Sequence, residues 1–304
     1  MSLNATPRPI IVGILVSFNV SHDLMRNIEH LMSTLDYLIV VDNFPSGNPL
    51  LSESQGIKNL SIISNLNKGG LAGAYNLAIS QIDNCISDAT HILFLDDDTD
   101  VESLPVFLES EITLEYANKP MVAAIAPSYV DSRTGMSGRY IHLNKFSFRM
   151  SERELSNPLE VSFLINSMSL WRLSAIKEIG LYSQKLGVDH IDTDYCLRAK
   201  LKNFSLILNP SIKFIHSIGK REKYKFFGLE MQSGGHNRFR RKMISRNTFI
   251  LAKHYFKYFP SFSVLCFLRI LYEVLGIVLV ESDKLGKLRA IFAGLLSGFR
   301  EKYE

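Results

Sequence analysis

The sequence predicts an α/β fold in which a mainly parallel sheet is flanked by helices and followed by a C-terminal helical extension. Short apolar runs alternate with segments whose apolar residues recur every three or four positions, as expected for buried strands connected by helices. Several of the apolar runs end directly at acidic or amide side chains. Beyond Arg238 the spacing is helical to the end of the chain.

The first half of the chain carries the clearest alternation. Continuous apolar runs predict strands at residues 10–16, 37–41, 59–64 and 91–95. Helical spacing predicts helices at residues 23–34 and from Gly70 through Ile82. Ligands of such sheets bind at the carboxyl ends of the strands. We therefore expect Asp42, the loop 65–73 and the acidic cluster 96–98 to lie along one edge of the sheet.

After residue 98 the pattern is less regular. It predicts a helix at 101–116, a strand at 121–127, an irregular polar stretch at 130–158, strand character at 160–171 and a helix ending at 179. Another helix begins at the acidic cluster 189–194 and runs through Lys202, followed by short strands at 206–208 and 212–215. The pattern divides the chain into a sheet domain, residues 1–220, and a basic, amphipathic helical region, residues 221–304.

Composition narrows the function classes. The 304 residues have a formal net charge of +4, 46% hydrophobic and 21% charged residues, which exclude a disordered or fibrous protein. The cysteines, Cys85, Cys196 and Cys266, are too far apart for a disulfide framework or a metal-ligand motif, which favours a reducing compartment. The first nine residues lack the basic and apolar segments of a secretory signal, so we expect a cytoplasmic protein.

The charge is unevenly distributed. Residues 213–257 contain twelve lysines and arginines and two acidic residues, a charge of +10, which leaves −6 for the rest of the chain. The apolar segment 259–280 follows, interrupted by Arg269 and Glu273, which are spaced to form an ion pair on a helix. This pattern predicts contact with the cytoplasmic membrane surface or a homo-oligomer formed through these helices. Nucleic acid is not expected, because no recognisable binding module with interleaved aromatic residues is present.

An acidic cluster at residues 96–98, with Asp100 close behind, predicts a divalent cation site. Neighbouring carboxylates repel one another, and Mg²⁺ or Mn²⁺ bound together with substrate phosphate would compensate for their charge. An EF-hand is excluded, because Val101 and Phe107 stand where it needs glycine and glutamate. An aspartyl phosphatase stays open as an alternative, although Asp100 replaces its expected threonine. The loop Gly69 to Gly73 is not a dinucleotide or Walker A motif, and either anion binding or close packing would explain it.

Six segments occur in the order typical of a known family, at residues 16–19, 41–43, 67–76, 95–98, 191–198 and 215–217. On these motifs the chain resembles the inverting nucleotide-sugar glycosyltransferases of family 2, which have the GT-A fold with a Rossmann-like sheet. It most resembles bacterial dTDP-rhamnosyltransferases of polysaccharide and O-antigen assembly. The resemblance covers about 200 residues. Where the family has a small Ser-Gly pair before the acceptor-side helix, this chain has Ser167 and Met168.

The resemblance implies a role for each matching residue on the donor side. Asp42 would hydrogen-bond the base of the nucleotide, in a pocket lined by Ser17 and Phe18. The other residues implied to bind the nucleotide sugar are Asn67, Lys68, Gly70, Asp96 and Asp97.

The metal and the general base are implied in the same way. Asp98 and His216 would be the protein ligands of Mg²⁺ or Mn²⁺. Asp192 would be the general base that accepts a proton from the acceptor hydroxyl, and Asp194 lies in the same turn. Residues two apart do not share a face of a helix, so only one of them is expected to face the acceptor, and we choose Asp192 with Asp194 as the second candidate.

The resemblance therefore implies a metal-dependent inverting hexosyltransferase at the inner face of the cell membrane. It would move L-rhamnose from dTDP-rhamnose to a glycan acceptor carried on a lipid. A carboxylate at Asp42 suits uracil as well as thymine, so UDP-galactofuranose or another UDP-sugar is an alternative donor. From other classes, an aspartyl phosphatase and a non-catalytic nucleotide-sugar-binding scaffold stay open.

Overall fold

A computed structural model describes residues 8–18, 23–54, 56–216, 222–226 and 229–303. Its strands are β1 Ile11–Ser17, β2 Tyr37–Asp42, β3 Leu60–Ser64, β4 His91–Asp96, β5 Val122–Asp131, β6 Ile141–Leu143, β7 Phe148–Met150, β8 Leu159–Val161, β9 Ser169–Arg172, β10 Ser205–His216, β11 Glu222–Phe226 and β12 Leu229–Ser233. Its α-helices are α1 Asp23–Thr34, α2 Gly70–Cys85, α3 Leu104–Glu109, α4 Glu111–Ala117, α5 Leu173–Ile179, α6 Ile191–Leu201, α7 Arg238–Tyr255, α8 Pro260–Leu279 and α9 Lys284–Arg300.

The largest sheet has eight described strands in the order β3-β2-β1-β4-β9-β5-β10-β8. β3, β2, β1 and β4 are mutually parallel, and their register places Ser17 beside Asp42, Asp42 beside Ser64 and Val16 beside Asp96. The polar residues at the ends of these strands therefore share one edge, as predicted. The α/β fold class, with its C-terminal helices, is confirmed.

β9 runs antiparallel to both of its neighbours, β4 and β5. The single strand predicted at 160–171 is wrong, because β8 and β9 are two short strands with a loop between them. In that loop Met168 has a φ of 65° and donates its N–H to the carbonyl of Phe94 at 2.8 Å. The turn places the loop against the end of β4, and no local sequence pattern predicts a left-handed conformation for this methionine.

Other predicted boundaries also differ from the structure. The helix predicted at 101–116 is two helices, because Ser110 is extended (φ −60°, ψ 131°) and separates α3 from α4. The two short strands predicted at 206–208 and 212–215 are one strand, β10. Pro210 lies inside it but beyond the residues that pair with β8, so its missing N–H breaks no bond of that ladder. The irregular stretch 130–158 contains the hairpin β6–β7.

The core of the sheet is apolar on both faces, as expected for strands covered by helices. Every residue of β1 is buried, and α1 packs Leu24, Ile28 and Leu31 into the same cluster as Leu15. Trp171, the only tryptophan, is fully buried in β9 and is therefore a core residue.

The chain forms two compact units. The first contains residues up to 129 together with 154–215, and the second contains 130–153 and 216–304. The sequence-based boundary at 220 lies outside the described residues. Within the second unit α9 packs closely on α7, since a Cβ at Gly294 would lie 2.3 Å from the carbonyl oxygen of Lys242. Arg269 and Glu273 form the predicted ion pair on α8, at 3.5 Å.

Candidate active site

A cleft of about 390 Å³ opens at the end of β2, around the predicted base-binding carboxylate. It is lined by Asp42, Ser46, Gly47, Asn48, Pro49, Leu51, Ile62 and Ser64. Asp42 accepts the backbone N–H groups of Phe44 (3.1 Å) and Asn48 (2.7 Å), which hold the loop in a turn around it. A carboxylate has about four acceptor positions, so two remain for N–H donors of a ligand. The volume is that of a small-molecule site.

Ser17 and Phe18 are placed differently from one another. Ser17 is buried beside Asp42, and its hydroxyl accepts a hydrogen bond from the Asn48 amide at 3.3 Å, so it supports the cleft from below. Phe18 is half exposed, and its backbone N–H donates to the Asp97 carboxylate at 2.8 Å. The Asp97 carboxylate therefore fixes the backbone of Phe18, which the resemblance places in the lining of the base pocket.

Asparagine side chains connect the ends of β2 and β3. The Asn65 amide donates to the Asn43 side-chain oxygen at 2.7 Å and to the carbonyl of Lys68 at 2.9 Å. Asn43 in turn contacts the Asn67 side-chain oxygen at 3.4 Å. These bonds fold the 65–69 turn, in which Leu66, Asn67 and Gly69 all have positive φ. Asn67 and Lys68 thus belong to a built turn beside the cleft.

The glycines of this loop serve close packing. A Cβ at Gly70 would lie 2.9 Å from the carbonyl oxygen of Gly187, and one at Gly73 would lie 2.0 Å from that of Lys68. The Ala72 N–H donates to the Gly187 oxygen at 3.3 Å. The start of α2 is therefore fastened to the segment that leads into α6. Close packing, one of the two explanations that the sequence leaves open for this loop, is thus observed at Gly70 and Gly73, and the donor-binding role of Gly70 stays a prediction.

Asp96, the last residue of β4, is held by two hydroxyl groups. Tyr75 donates to one carboxylate oxygen at 3.2 Å, and Ser167 donates to the other. Burial raises the pKa of Tyr75 well above its usual value, so this phenol stays protonated and remains a donor. Thr99 accepts the Asp96 N–H at 2.9 Å and closes the turn after the strand.

Asp192 lies in the first turn of α6 and is partly buried. Burial and, after it, the negative charge of Asp96 raise the pKa of this carboxyl from 3.8 to about 7. Hydrogen bonds from the backbone of Asn166 and from its own backbone act in the opposite direction. A carboxylate with this pKa accepts a proton at neutral pH far better than an ordinary aspartate.

Asp194 is in a different environment. Its carboxylate is fully buried and forms an ion pair with Arg198 one turn along α6, with 3.2 Å between Oδ2 and Nε. Arg198 also donates to the carbonyl of Ile179 at 3.3 Å, which connects α6 to the end of α5. The geometry favours Asp192 over Asp194 as a group that faces a substrate.

An aromatic cluster lies beneath these carboxylates. Tyr182 stacks on Tyr195 with ring centroids 3.9 Å apart and contacts Tyr75 at 5.2 Å. Asn76 fixes Tyr182 by accepting its backbone N–H (2.8 Å) and donating to its carbonyl (2.9 Å). Asn76, which belongs to one of the family motifs, thus connects α2 to the chain that precedes α6. Burial raises the pKa of both Tyr75 and Tyr182 well above the usual value, and the negative charge of Asp192 raises both further.

The two predicted metal ligands lie in different units, Asp98 in the first and His216 in the second. Asp98 is exposed after β4, whereas Asp96 and Asp97 hold protein groups. His216 ends β10 in the second unit, where its carbonyl accepts the Ser132 N–H at 3.1 Å. Among the described residues, no group of three or more His, Cys, Asp or Glu side chains could hold a metal ion. Mg²⁺ commonly takes one or two protein carboxylates and completes its shell with water and phosphate.

Three contributors to the site were not predicted from the sequence: Tyr75, Asn166 and Tyr182. Tyr75 lies inside the family motif at 67–76, directly before Asn76, so its position in the second turn of α2 is the signal that could have found it. Asn166 and Tyr182 lie in irregular segments, where hydrophobic periodicity says nothing about side-chain direction.

Comparisons with known proteins agree with the predicted resemblance. No known protein-family profile matches the chain. The dTDP-rhamnosyl transferase RfbF of Shigella flexneri is 23% identical over 249 residues, which cover 80% of this chain and 80% of that protein. This similarity confirms the expected resemblance to bacterial rhamnosyltransferases. A crystal structure of S. aureus TarS aligns with 96% of this chain at 11% identity and a TM-score of 0.46, and this chain spans 44% of the TarS chain, less than half of its length.

Proposed function

We propose that this chain is an inverting glycosyltransferase that moves a sugar, L-rhamnose in our assignment, from a nucleotide diphosphate donor to a glycan acceptor. The enzyme class is that of its relative RfbF, a dTDP-rhamnosyl transferase. The observation that carries the proposal is the pairing of a nucleotide-sized cleft at Asp42 with a carboxyl of pKa about 7 at Asp192, on the same unit.

The chemistry needs two separate acidic centres. Asp192 accepts the proton of the acceptor hydroxyl, whose oxygen then bonds to the anomeric carbon from the face opposite the diphosphate. The bond between that carbon and the diphosphate oxygen breaks, and the nucleoside diphosphate leaves with the electron pair. Attack from the opposite face inverts the configuration at the anomeric carbon. Ser167 and Tyr75 keep Asp96 in place throughout, and with it the electrostatic field that keeps Asp192 basic.

Asp98 is the residue we assign to the divalent cation, and the role of His216, which lies in the second unit, stays a prediction. A bound Mg²⁺ or Mn²⁺ would neutralise the charge that gathers on the leaving diphosphate. We assign donor binding to the cleft at the end of β2. There Asp42 would accept the N3–H of the base, and Lys68 lies in the adjoining turn. Uracil and thymine share that N–H, so a UDP-sugar, UDP-galactofuranose among them, is the alternative donor.

The other interpretations lose support from the same contacts. In an aspartyl phosphatase Asp96 would be the nucleophile, but both of its oxygens already accept hydroxyl hydrogen bonds from Tyr75 and Ser167. The burial of Asp192 next to Asp96 lowers the stability of the folded protein at neutral pH. Such an arrangement is expected in an enzyme that needs a base and is not expected in a non-catalytic scaffold.

Calorimetric titration with dTDP-rhamnose, UDP-galactofuranose, UDP-galactose and UDP-glucose, with and without Mn²⁺, tests the proposal. We expect one donor to bind more tightly with Mn²⁺, and we expect the Mn²⁺ effect to disappear in Asp98→Ala. Asp100→Ala is the matched control, since Asp100 follows in the same turn and its carboxylate accepts the Glu102 N–H. Failure of all four donors to bind in either condition would overturn the assignment.

A further inference from the structure

The second unit exposes an apolar stripe along α8. Eight large apolar side chains recur every three or four residues and are each 38% to 67% exposed. They are Val264, Phe267, Leu268, Leu271, Tyr272, Leu275, Val278 and Leu279. The opposite side of the helix is buried through Phe262, Cys266 and Ile277. A contiguous apolar surface of this kind marks an interaction site, because monomeric soluble proteins rarely expose one.

Aromatic residues surround the start of this helix. Ser261 donates its N–H to the carbonyl of Lys145 at 3.3 Å and its hydroxyl to that of Asn144, which fastens the β6–β7 turn beside α8. Phe146 in that turn is 78% exposed. Phe256, in the connection from α7, is also exposed. Exposed phenylalanine and leucine together with basic residues are typical of amphipathic segments that lie in the membrane–water interface.

α9 combines apolar and basic residues on its outer side. Leu285, Phe292, Leu296 and Phe299 are exposed at helical spacing, and Arg289 and Arg300 are exposed among them. The inner side is fixed to α7 through Gly294 and Gly298. Long arginine side chains can keep their charge in the headgroup layer while their stems cover apolar surface. α9 thus has the character of a helix that lies along a membrane surface.

The charge of these helices is strongly positive. Residues 238–303 contain thirteen lysines and arginines and four acidic residues, a formal charge of +9. Each of the four acids forms an ion pair within the unit: Glu273 and Glu281 with Arg241, Asp283 with Arg238, and Glu301 with Arg246. A second copy of the chain would bring an equal positive charge to the same surface, whereas anionic lipid supplies the opposite charge.

α8 is long and apolar enough to cross a membrane, with a mean hydropathy of 2.1, and it is the one described helix with this property. Its contacts argue for a position along the surface. Buried Arg241 donates to Glu273 at 2.6 Å and also to Glu281, so both acids hold α8 and its C-terminal end to α7. Insertion would separate this network and leave charges buried without partners, which is costly.

We propose that the outer face of α8, flanked by Phe146 and the basic residues of α9, binds the surface of an anionic lipid bilayer without crossing it. Binding of this kind is independent of the proposed transferase activity, because it needs no donor and no acceptor. It would place the unit that carries α7 to α9 at the membrane by apolar contact and by charge together.

Co-sedimentation of the full chain with lipid vesicles tests this proposal. One set of vesicles contains phosphatidylcholine alone, and the other contains about one-third phosphatidylglycerol. We expect binding to the anionic vesicles to exceed binding to the neutral ones by about tenfold or more, and to weaken as salt rises from about 0.1 M to about 1 M. Equal binding to both sets, or to neither, would overturn the proposal.

Two variants and a control separate the contributions. Phe267→Glu combined with Leu271→Glu should reduce the bound fraction about tenfold or more, because both side chains are exposed and the helix core is untouched. Arg289→Gln with Arg300→Gln should weaken the preference for anionic lipid while leaving the fold intact. Val106→Glu, at an equally exposed apolar position of α3 in the first unit, should bind as the parent does. Circular dichroism confirms that each variant is folded.

Two alternatives, a dimer formed through the outer face of α8 and insertion of α8 across the bilayer, lead to different results. If the surface joins two copies, sedimentation velocity will show a dimer that the Phe267 and Leu271 substitutions dissociate, and the vesicles will not compete with it. If α8 spans the bilayer, washing membranes in about 1 M salt and then at alkaline pH will leave the protein in the pellet. Either result overturns the surface-binding proposal, whereas release of the protein by the salt wash supports it.

Discussion

Asp194 and Arg198 form an ion pair inside the first unit, with 3.2 Å between carboxylate and guanidinium. Two residues earlier, burial and then the negative charge of Asp96 raise the pKa of Asp192 to about 7. The two neighbouring aspartates therefore have opposite physical roles. One stabilises the packing of α6 against α5, and the other is a weak acid poised to exchange a proton near neutral pH.

Asp194→Asn should destabilise the protein by about 3 kcal/mol, because it leaves the Arg198 charge largely buried without its carboxylate. Urea unfolding followed by circular dichroism measures this loss. The matched control is Asp83→Asn, which removes the pair with Lys177, whose side chains are both mostly exposed. That control should cost less than about 1 kcal/mol. Equal losses in the two variants would contradict a structural role for Asp194.

Asp192→Asn should stabilise the folded protein above pH 7. The folded carboxyl has a pKa of about 7 and the unfolded one about 3.9, so the folded state binds more protons between these values and loses stability as pH rises through them. Asparagine cannot ionise, so the variant does not lose this stability, and its free energy of unfolding above pH 7 should exceed that of the parent by about 1–3 kcal/mol for a partly exposed group. Thermal unfolding at about pH 8 and about pH 4 measures it. The gain should vanish at the lower pH, and a gain of equal size at both would contradict this assignment.

Met168→Gly should be better tolerated than Met168→Ala, the reverse of the usual order. Both lose the buried methionine side chain, at a cost of about 2–5 kcal/mol. Glycine alone relieves the left-handed φ of 65°, which costs a non-glycine residue about 1–2 kcal/mol. Denaturant unfolding of both variants gives the difference. Greater stability of the alanine variant would show that this backbone conformation is not strained.

Asp42→Asn should weaken binding of the free nucleoside diphosphate about 10- to 100-fold, because a hydrogen bond to a charged acceptor is replaced by one to a neutral amide. Asparagine keeps the size and one acceptor oxygen for the Phe44 or Asn48 N–H. Ser64→Ala, in the lining of the same cleft, is the control and should change the Kd little. Calorimetry gives both constants, and unchanged binding in Asp42→Asn would place the base elsewhere.

Much of the sheet was predictable because its strands are buried on both faces. The runs that predict β1, β2, β3 and β4 differ from the observed strands by at most one residue at each end. The same runs end at Asp42 and Asp96, so the edge of the sheet that carries the site also follows from the sequence. Parallel strands allow this inference, since all of their carboxyl ends meet on one side.

The less regular part of the site was not predictable in the same way. Ser167 reaches Asp96 because β9 enters the sheet antiparallel between β4 and β5, a long-range pairing that no local pattern records. Gly70 packs on Gly187 across a separation of more than a hundred residues. The spacing of Asp194 and Arg198 indicates that they can pair on a helix, but the burial that separates Asp194 from Asp192 is visible only in the packed structure.

The most direct test of the account is the rate of nucleoside diphosphate release from dTDP-rhamnose in the presence of acceptor, measured against pH for the parent, Asp192→Asn and Asp194→Asn. We expect the parent rate to rise through an apparent pKa near 7 and then level off. Asp192→Asn should lose about 10²- to 10⁴-fold in rate above pH 7 and progressively less below it, whereas folded Asp194→Asn should keep the profile of the parent. A fully active Asp192→Asn enzyme with an unchanged profile would contradict the assignment of Asp192 as the base.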